Sequence, residues 1–501
     1  MPVPPVSHRP ARHLSLLALA LGLALFATPA QAQQVIQPAM PGDAGDTGLY
    51  VIVEATQRPL DALMVLPLQC SVAKKDCEVV ESVLLTDTRL SGFVRALKGS
   101  SAHAAQMTKA ALPGFQLRPA AAQAAGADYV LATSLRAGKQ AGHYELVASL
   151  AGARDGRIFD LQDYALQMSP AASVRSMAHR VLNGVQGAIT GIEGSFDTVI
   201  YYSAPGPGCQ RCIWQVDADG ANRRMLVSDN GIHMFPVQLQ DGGLAYTSFR
   251  TGMPSLFKLD AMQLMAMTEL IPTLPKSVKQ KKDPPLKQPA GEALPLPTPF
   301  AAGPDLQFRG CTQHPRGAIV ATINDGDQAD IWMIDYTGSP DRNLSNNPAN
   351  DLSPSFSSDG EHIAFVSDRT GEPQIYFMNA DGSGQRRLTF AGNYNADPDW
   401  GPEGKIAYSG QRGNSIDVLT VTMQGKMQRL TPGQGKRSLE PTWSPCGKRL
   451  VYVSNEDGRG QRLWVTSADG AAREPLDLPF AQYYTPSWQR IPGKPPKRWG
   501  R

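Results

Sequence analysis

Six short apolar strands recur along the C-terminal three-fifths of the chain, and their spacing constrains the fold more than any other feature. They are "TVIYYS" from Thr198, "GLAYTS" from Gly243, "AIVATI" from Ala318, "HIAFVS" from His362, "KIAYSG" from Lys405 and "RLVYVS" from Arg449. The intervals are 45, 75, 44, 43 and 44 residues. A fixed period of this length marks stacked supersecondary units, each burying an apolar face against its neighbours. After each strand comes a second ("IWQVDADG", "LFKLDAM", "IWMIDYTG", "IYFMNADG", "VLTVTMQG", "LWVTSADG") and then a third such as "RRMLV", "RRLTF" or "QRLTP". Alternating β-branched and aromatic residues suit half-buried strands, and Asp-Gly pairs supply tight hairpin turns. The turn aspartates read as turn formers, and "DADG" lacks the remaining ligands of a calcium loop.

A fourth element precedes most units: "FPVQ" at Pro236, "PSFS" at Pro354, "PDWG" at Pro398, "PTWS" at Pro441 and "PSWQ" at Pro486, with a degenerate version near "CTQH" at Cys311. The first unit has no such strand before it, and the last "PSWQ" has no unit after it. The pattern predicts an all-β six-bladed propeller over 195–490, with four-stranded blades and the C-terminal strand closing the first blade. Closure leaves only short protected edges. Trp400, Trp443 and Trp488 share one repeat position, as expected of packing between blades. The single long interval is filled by "PKSVKQKKDPPLKQPAGEALPLPTPFAAGPD", Pro275 to Asp305, whose eight prolines and five lysines mark an extended insert. It is expected to leave the ring between the second and third blades, on the face where outer strands connect to inner ones.

The rest of the chain is shorter on pattern. Arg9 and Arg12 precede the apolar run "LSLLALALGLALFATPAQAQ", which ends in Ala30-Gln31-Ala32, so residues 1–32 read as a secretory signal. Residues 33–194 alternate strands and helices, giving an α/β domain. One helix carries Met177, Val181, Val185 and Ile189 on one face and stops at Gly191. Residues 491–501 form a tail. Export permits disulfides. Cys70 and Cys77 flank a polar loop, Cys209 and Cys212 form a CxxC, and both pairs read as local bridges. A zinc site would need two further ligands, and haem attachment would need His where Ile213 stands. Cys311 and Cys446 are left unpaired. A formal charge of +3 gives no footprint for nucleic acid.

The blade "SPSFSSDGEHIAFVSDRTGEPQIYFMNADGSGQRRLT" resembles the repeat of the TolB family of the Tol-Pal envelope system. "TDTRLSGFVRAL", "GADYVLATSL", "HYELVASLAGARDGRIF" and "MAHRVLNGVQGAITGIEGSFDTVIYYS" are similar to that family's N-terminal half in order and spacing. The resemblance covers most of residues 49 to 490. It implies a monomeric periplasmic protein without a cofactor, which maintains outer-membrane integrity and envelope constriction during cell division. It further implies a TolA-type inner-membrane partner at a segment near the mature start and a Pal-type peptidoglycan-associated lipoprotein at the propeller mouth. The matching N-terminal segment is "LYVIVEATQRPL", with Tyr50, Ile52 and Glu54 on alternate positions. An ordinary edge strand of its own α/β domain is the other reading of it. At the mouth the expected partner-binding residues are His233, Met234, Asp351, Asn395, Asp397, Glu440 and Tyr484, with the basic insert lying over an acidic rim.

Catalysis finds little support in the residues. There is no GxSxG elbow, no HExxH and no phosphate-cradling GxxxxGK. A metal-dependent lyase or hydrolase would have to use His233 and His314, the one pair near inner strands of neighbouring blades. A TolB-like propeller with a different client, another lipoprotein or a peptidoglycan fragment, is the nearer alternative.

Overall fold

The computed structural model describes residues 52–54, 59–170, 173–206, 209–229, 231–264, 299–303, 305–431, 433–479, 482–489 and 497–498. Six blades, each of four antiparallel strands running from inner to outer, form a propeller, and blade 5 carries one further parallel strand on its outer edge. Blade 1 takes its inner strand, Tyr484–Trp488, from the C-terminus and continues with Val199–Gly206, Cys209–Asp217 and Arg224–Val227. Each of the other five is built from consecutive chain, with inner strands His233–Gln238, Gln307–Gln313, Asp351–Phe356, Asn395–Trp400 and Ser438–Trp443.

The cores lie between blades rather than within them. Side chains alternate across each strand, so adjacent residues serve different neighbours. In blade 1, Tyr202 and Trp214 pack toward blade 6 with Val453 and Leu463, whereas Tyr201 and Ile213 pack toward blade 2 with Tyr246 and Phe257. Trp400, Trp443 and Trp488 end their inner strands and are buried in these inter-blade wedges.

The α/β domain holds a mixed sheet of strand order Leu166–Pro170, His143–Gly152, Tyr129–Ala137, Ala62–Val65 and Arg95–Lys98. Its helices are α1 (Lys74–Leu90), α2 (Ser101–Met107), α3 (Pro119–Ala124) and α4 (Val174–Thr190). Helices α1 and α4 bury one face through Val80, Val83, Leu84, Met177, Val181 and Val185, and α2 and α3 cover the other with Met107 and Ala122. Ile189 is only partly buried, and Gly191 caps α4 in the left-handed region at φ 79°. Cys70–Cys77 ties the strand before α1 to its first turn, and Cys209–Cys212 is a local bridge within the third strand of blade 1. Cys311 and Cys446 are free and buried.

The domain sits over blades 6 and 1, on the face where inner strands end. The exit from α1 touches blade 6 so closely that a Cβ on Gly92 would lie 2.6 Å from Ser467 Cβ, and Gly92 also has φ 70°. That position excludes any other residue on both steric and conformational grounds. Among the described residues no helix is long and apolar enough to cross a membrane.

One expectation about the insert fails. The outer strand of blade 2 is Pro299–Ala301, paired with the third strand Ser255–Leu259. The long stretch therefore joins the third and outer strands of blade 2, not blade 2 to blade 3. Leu259 pairs with Leu244, which pairs with Gln238 at the end of the inner strand, so the insert leaves from the face opposite the mouth. Outer strands are short and weakly patterned, and a proline-bearing strand at the insert's own end hides the register. Most of the insert lies outside the described residues.

Candidate functional site

All six inner strands carry a β-bulge against their second strands. At each bulge one residue has positive φ: Phe235 (54°), Gly310 (58°), Ser353 (54°), Asp397 (54°), Glu440 (54°) and Thr485 (44°). Only blade 3 uses glycine. The other five residues directly precede a proline, in a conformation that costs a non-glycine residue energy and that proline itself disfavours. Strain of this kind persists only where neighbours over-determine it.

The neighbours are identifiable. The bulge N–H of Gly310, Ser353 and Glu440 donates to Thr247 Oγ1, Thr322 Oγ1 and Ser409 Oγ, each a hydroxyl on the second strand of the preceding blade. In blades 4 and 6 that repeat position is Val366 and Val453, which carry no hydroxyl. For the bulge that follows blade 6, Glu440 takes over: its Oε2 accepts the Thr485 N–H at 2.6 Å, and Thr485 Oγ1 in turn accepts the Phe235 N–H. Hydrogen bonds thus tie the bulges of blades 1, 2, 3, 4 and 6 to the blade before each.

Two of the six bulge residues are carboxylates on adjacent blades. Asp397 accepts a hydrogen bond from Ser409 Oγ at 2.8 Å. Burial and then the neighbouring Asp397 push Glu440 up to about 7, against the pull of the Thr485 N–H and of Arg211. Burial likewise raises Asp397. Both carboxyls therefore keep their protons to higher pH than exposed ones would.

Arginines surround the throat. Arg211 stacks over Tyr484 at 3.9 Å, with Nη1 3.0 Å from Met234 Sδ. Arg250 lies 3.3 Å from Asp229, whose other oxygen is 2.6 Å from His233 Nε2. Arg369 grips Asp351 through Nη2, at 3.0 and 3.2 Å. Arg412 Nη1 reaches Asn395 Oδ1 at 3.3 Å. Thus His233, Asp351, Asn395 and Tyr484 open their inner strands rather than sitting in the loops before them. His233, Met234, Asp351 and Asn395 are buried, and Asp397, Glu440 and Tyr484 are partly exposed. The predicted acidic rim is an arginine rim around an acidic throat. Arg250, Arg369 and Arg412 each stand three residues after Thr247, Val366 and Ser409 of the second strand, a repeat position that the sequence reading passed over.

His314 cannot join His233. It follows the end of the blade 3 inner strand, while His233 begins that of blade 2. A seven-residue strand rises roughly 20 Å, which puts the two rings at opposite ends of the channel. His314 is occupied there by the Arg316 N–H and by edge contact with Phe356. The missing proline in blade 3 had shifted its apparent register. That far end holds a cavity of about 150 Å³ lined by Gln238, Cys311, Gln313, Ser355, Asp399 and Ser487 among others. Burial pushes the Cys311 thiol up to about 12, so it stays protonated.

Of the N-terminal segment, Tyr50 lies outside the described residues. Ile52–Glu54 pairs parallel with Met427–Arg429 as a fifth strand on the outer edge of blade 5, so it is an edge strand of the propeller and not of the α/β sheet.

Residues 312–491 match the family described as TolB beta propeller domain. The chain is 28% identical over 375 residues to the Tol-Pal system protein TolB of Bordetella pertussis, covering 73% of this chain and 76% of that one. A TolB homolog of Chlorobium luteolum is 30% identical over 324 residues, 64% of this chain and 66% of the relative. The crystal structure of TolB from Acinetobacter baumannii shares the fold with a TM-score of 0.68 at 22% identity, covering 87% of this chain and 98% of that one.

Proposed function

We propose that this chain, a TolB-type propeller protein, is a non-catalytic periplasmic component of a Tol-Pal system. In this reading it takes part in outer-membrane integrity and in envelope constriction during division. It docks a Pal-type lipoprotein at the arginine-rimmed mouth. The observation that carries the reading is the throat itself: strained bulge positions, two of them the carboxylates Asp397 and Glu440, converge with Arg211, Arg250, Arg369 and Arg412 at the open end of the ring, while the α/β domain occupies the other face. Arginine forks around such a mouth suit acidic or carbonyl-rich loops of a protein partner. A TolA-type partner is assigned to the N-terminal segment, and the pairing of Ile52–Glu54 supports a segment able to add to a sheet edge.

The test is calorimetric titration of residues 33–501 with Pal from the same genome. Saturable binding is expected, weakened tenfold or more by Arg211→Glu with Arg250→Glu and insensitive to His314→Gln. Absence of binding by folded protein would remove Pal as the client. Binding untouched by the two arginine changes would move the site away from the mouth.

A further inference from the structure

A second constellation lies at the opposite face, where the α/β domain meets blade 1. His179 of α4 is 4% exposed, and its Nδ1 lies 2.6 Å from Asp87 Oδ2 of α1. Its other nitrogen, Nε2, is buried with no hydrogen-bond partner. Across the junction stand Asp217, the last residue of the third strand of blade 1, and Asp219 in the turn that follows. One ring nitrogen of His179 and one carboxylate oxygen of each aspartate all lie within 4.8 Å of one another.

We propose that His179, Asp217 and Asp219 bind a divalent transition-metal ion, zinc by preference, that joins α4 to blade 1. Asp87 fixes the imidazole by accepting the Nδ1 proton, which leaves the Nε2 lone pair as the ligand atom. A carboxylate behind a histidine is the usual support for a metal-binding imidazole. A buried lone pair facing two carboxylates is repulsive unless a cation stands between them. Zinc holds nitrogen and oxygen ligands at roughly 2.0–2.2 Å, so its ligand atoms sit about 3–4 Å apart, the scale of the gap here. One imidazole with two carboxylates suits zinc or manganese better than calcium, which prefers an all-oxygen shell.

The surroundings hold the aspartates in place. Asp219 accepts the Ala221 N–H on Oδ1 and Arg175 on Oδ2 at 2.7 Å, and Asp217 accepts Asn222 Nδ2 at 2.7 Å. Arg175 also lies 3.7 Å from Asp217. Each ionised carboxylate has about four lone-pair sites, so these bonds leave room for a metal. Arg175 balances the remaining negative charge. The other histidine–acid group, Asp359, Glu361 and His362, is at the surface with no buried unpartnered ligand, and serves as the control.

The experiment titrates zinc chloride into the chelator-stripped full mature chain and follows heat and melting temperature. One saturable site per chain and a rise in melting temperature are expected, with magnesium inert. His179→Ala should abolish the site. Asp217→Asn, partly exposed and still able to pair with Asn222, should keep the fold and weaken zinc at least tenfold. Asp87→Asn should weaken it by roughly 10–100-fold through the imidazole. The proposal is overturned if zinc binding survives Asp217→Asn in folded protein or is lost in His362→Gln. It is also overturned if imidazole NMR shows Nε2 protonated under excess zinc, which would make a proton the bridging cation.

Discussion

Two buried histidines, one at each face of the ring, sit 2.6 Å from a carboxylate and respond to it in opposite directions. Burial disfavours the imidazolium in both. At the domain junction, Asp87 and then Asp219 outweigh burial and raise His179. At the mouth, burial outweighs Asp229, Arg250 adds its own positive charge, and His233 is lowered. Both sites also hold a guanidinium that opposes the imidazolium, Arg175 at the junction and Arg250 at the mouth, and the junction adds a second carboxylate, Asp219. The junction is therefore a place that gathers cations, and the mouth is a place whose arginines already supply them.

The largest expected effect tests whether junction and mouth differ in how they tolerate a lost charge. Arg449 is fully buried at the junction, between Phe196 at 4.1 Å and Trp488 at 4.9 Å, with Nη2 donating to Ser195 O. Burial raises the Cys446 thiol, but the Arg449 guanidinium together with hydrogen bonds from Ser195, Ser444 and Gln186 holds that thiol below its ordinary value. Arg449→Ala removes the inter-domain packing and the counter-charge together and should cost about 3–5 kcal/mol in urea melts. At the mouth, Arg369→Ala leaves Asp351 buried, but burial already raises Asp351, so a proton can replace the guanidinium. A loss of about 1–2 kcal/mol at pH 7, shrinking toward pH 5, is expected. Equal losses at both pH values would show that Asp351 stays ionised.

The sequence carried the ring but not its throat. Period-2 apolar strands and a proline in five inner strands are local signals, so blade number and the closing C-terminal strand could be read directly. Asp397 and Glu440 could be placed near the mouth, yet the raised pKa of Glu440 depends on its burial and on an Asp397 one full repeat away on blade 5. The bulges had a partial signal in the residue before each proline, and so had Arg250, Arg369 and Arg412 in their shared spacing, whereas blades 3 and 6 carry Asp325 and Glu456 at that position. His179 could not be connected to Asp217 and Asp219, because "DADG" explains itself as a turn until α4 is packed against it. His314 and the insert were misplaced for a related reason: blade 3's inner strand lacks the proline, and the insert's own strand the length, that marks register elsewhere.

An intermediate effect concerns the throat alone. A carboxyl whose folded pKa lies above its unfolded one keeps its proton longer in the folded chain, so stability is lost as pH climbs between the two. For Glu440 that window runs from the ordinary 4.5 to about 7. The associated loss is at most roughly 3 kcal/mol. Glu440→Gln keeps an oxygen for the Thr485 N–H and removes the titration. Its melting temperature should match the parent at pH 4.5 and exceed it at pH 8. A variant that is no better at pH 8 would mean that the pair is stabilised by something other than a proton.

The smallest effect returns to the two histidines and reads their signs directly. His179 has its folded pKa raised, so its contribution is fully present below the unfolded value near 6.5 and is lost as pH rises through the folded one. His233 has its folded pKa lowered, so its contribution is present above 6.5 and is lost as pH falls through the folded one. Melts of His179→Gln and His233→Gln from pH 5 to 8.5, with chelator present so that no metal occupies the junction, should differ from the parent by tilts of opposite slope. The His179 variant loses least at alkaline pH, and the His233 variant loses least at acid pH. Parallel tilts would show that Asp219 and Arg250 do not control these rings, and the contrast between a cation-gathering junction and a cation-supplied mouth would fall with them.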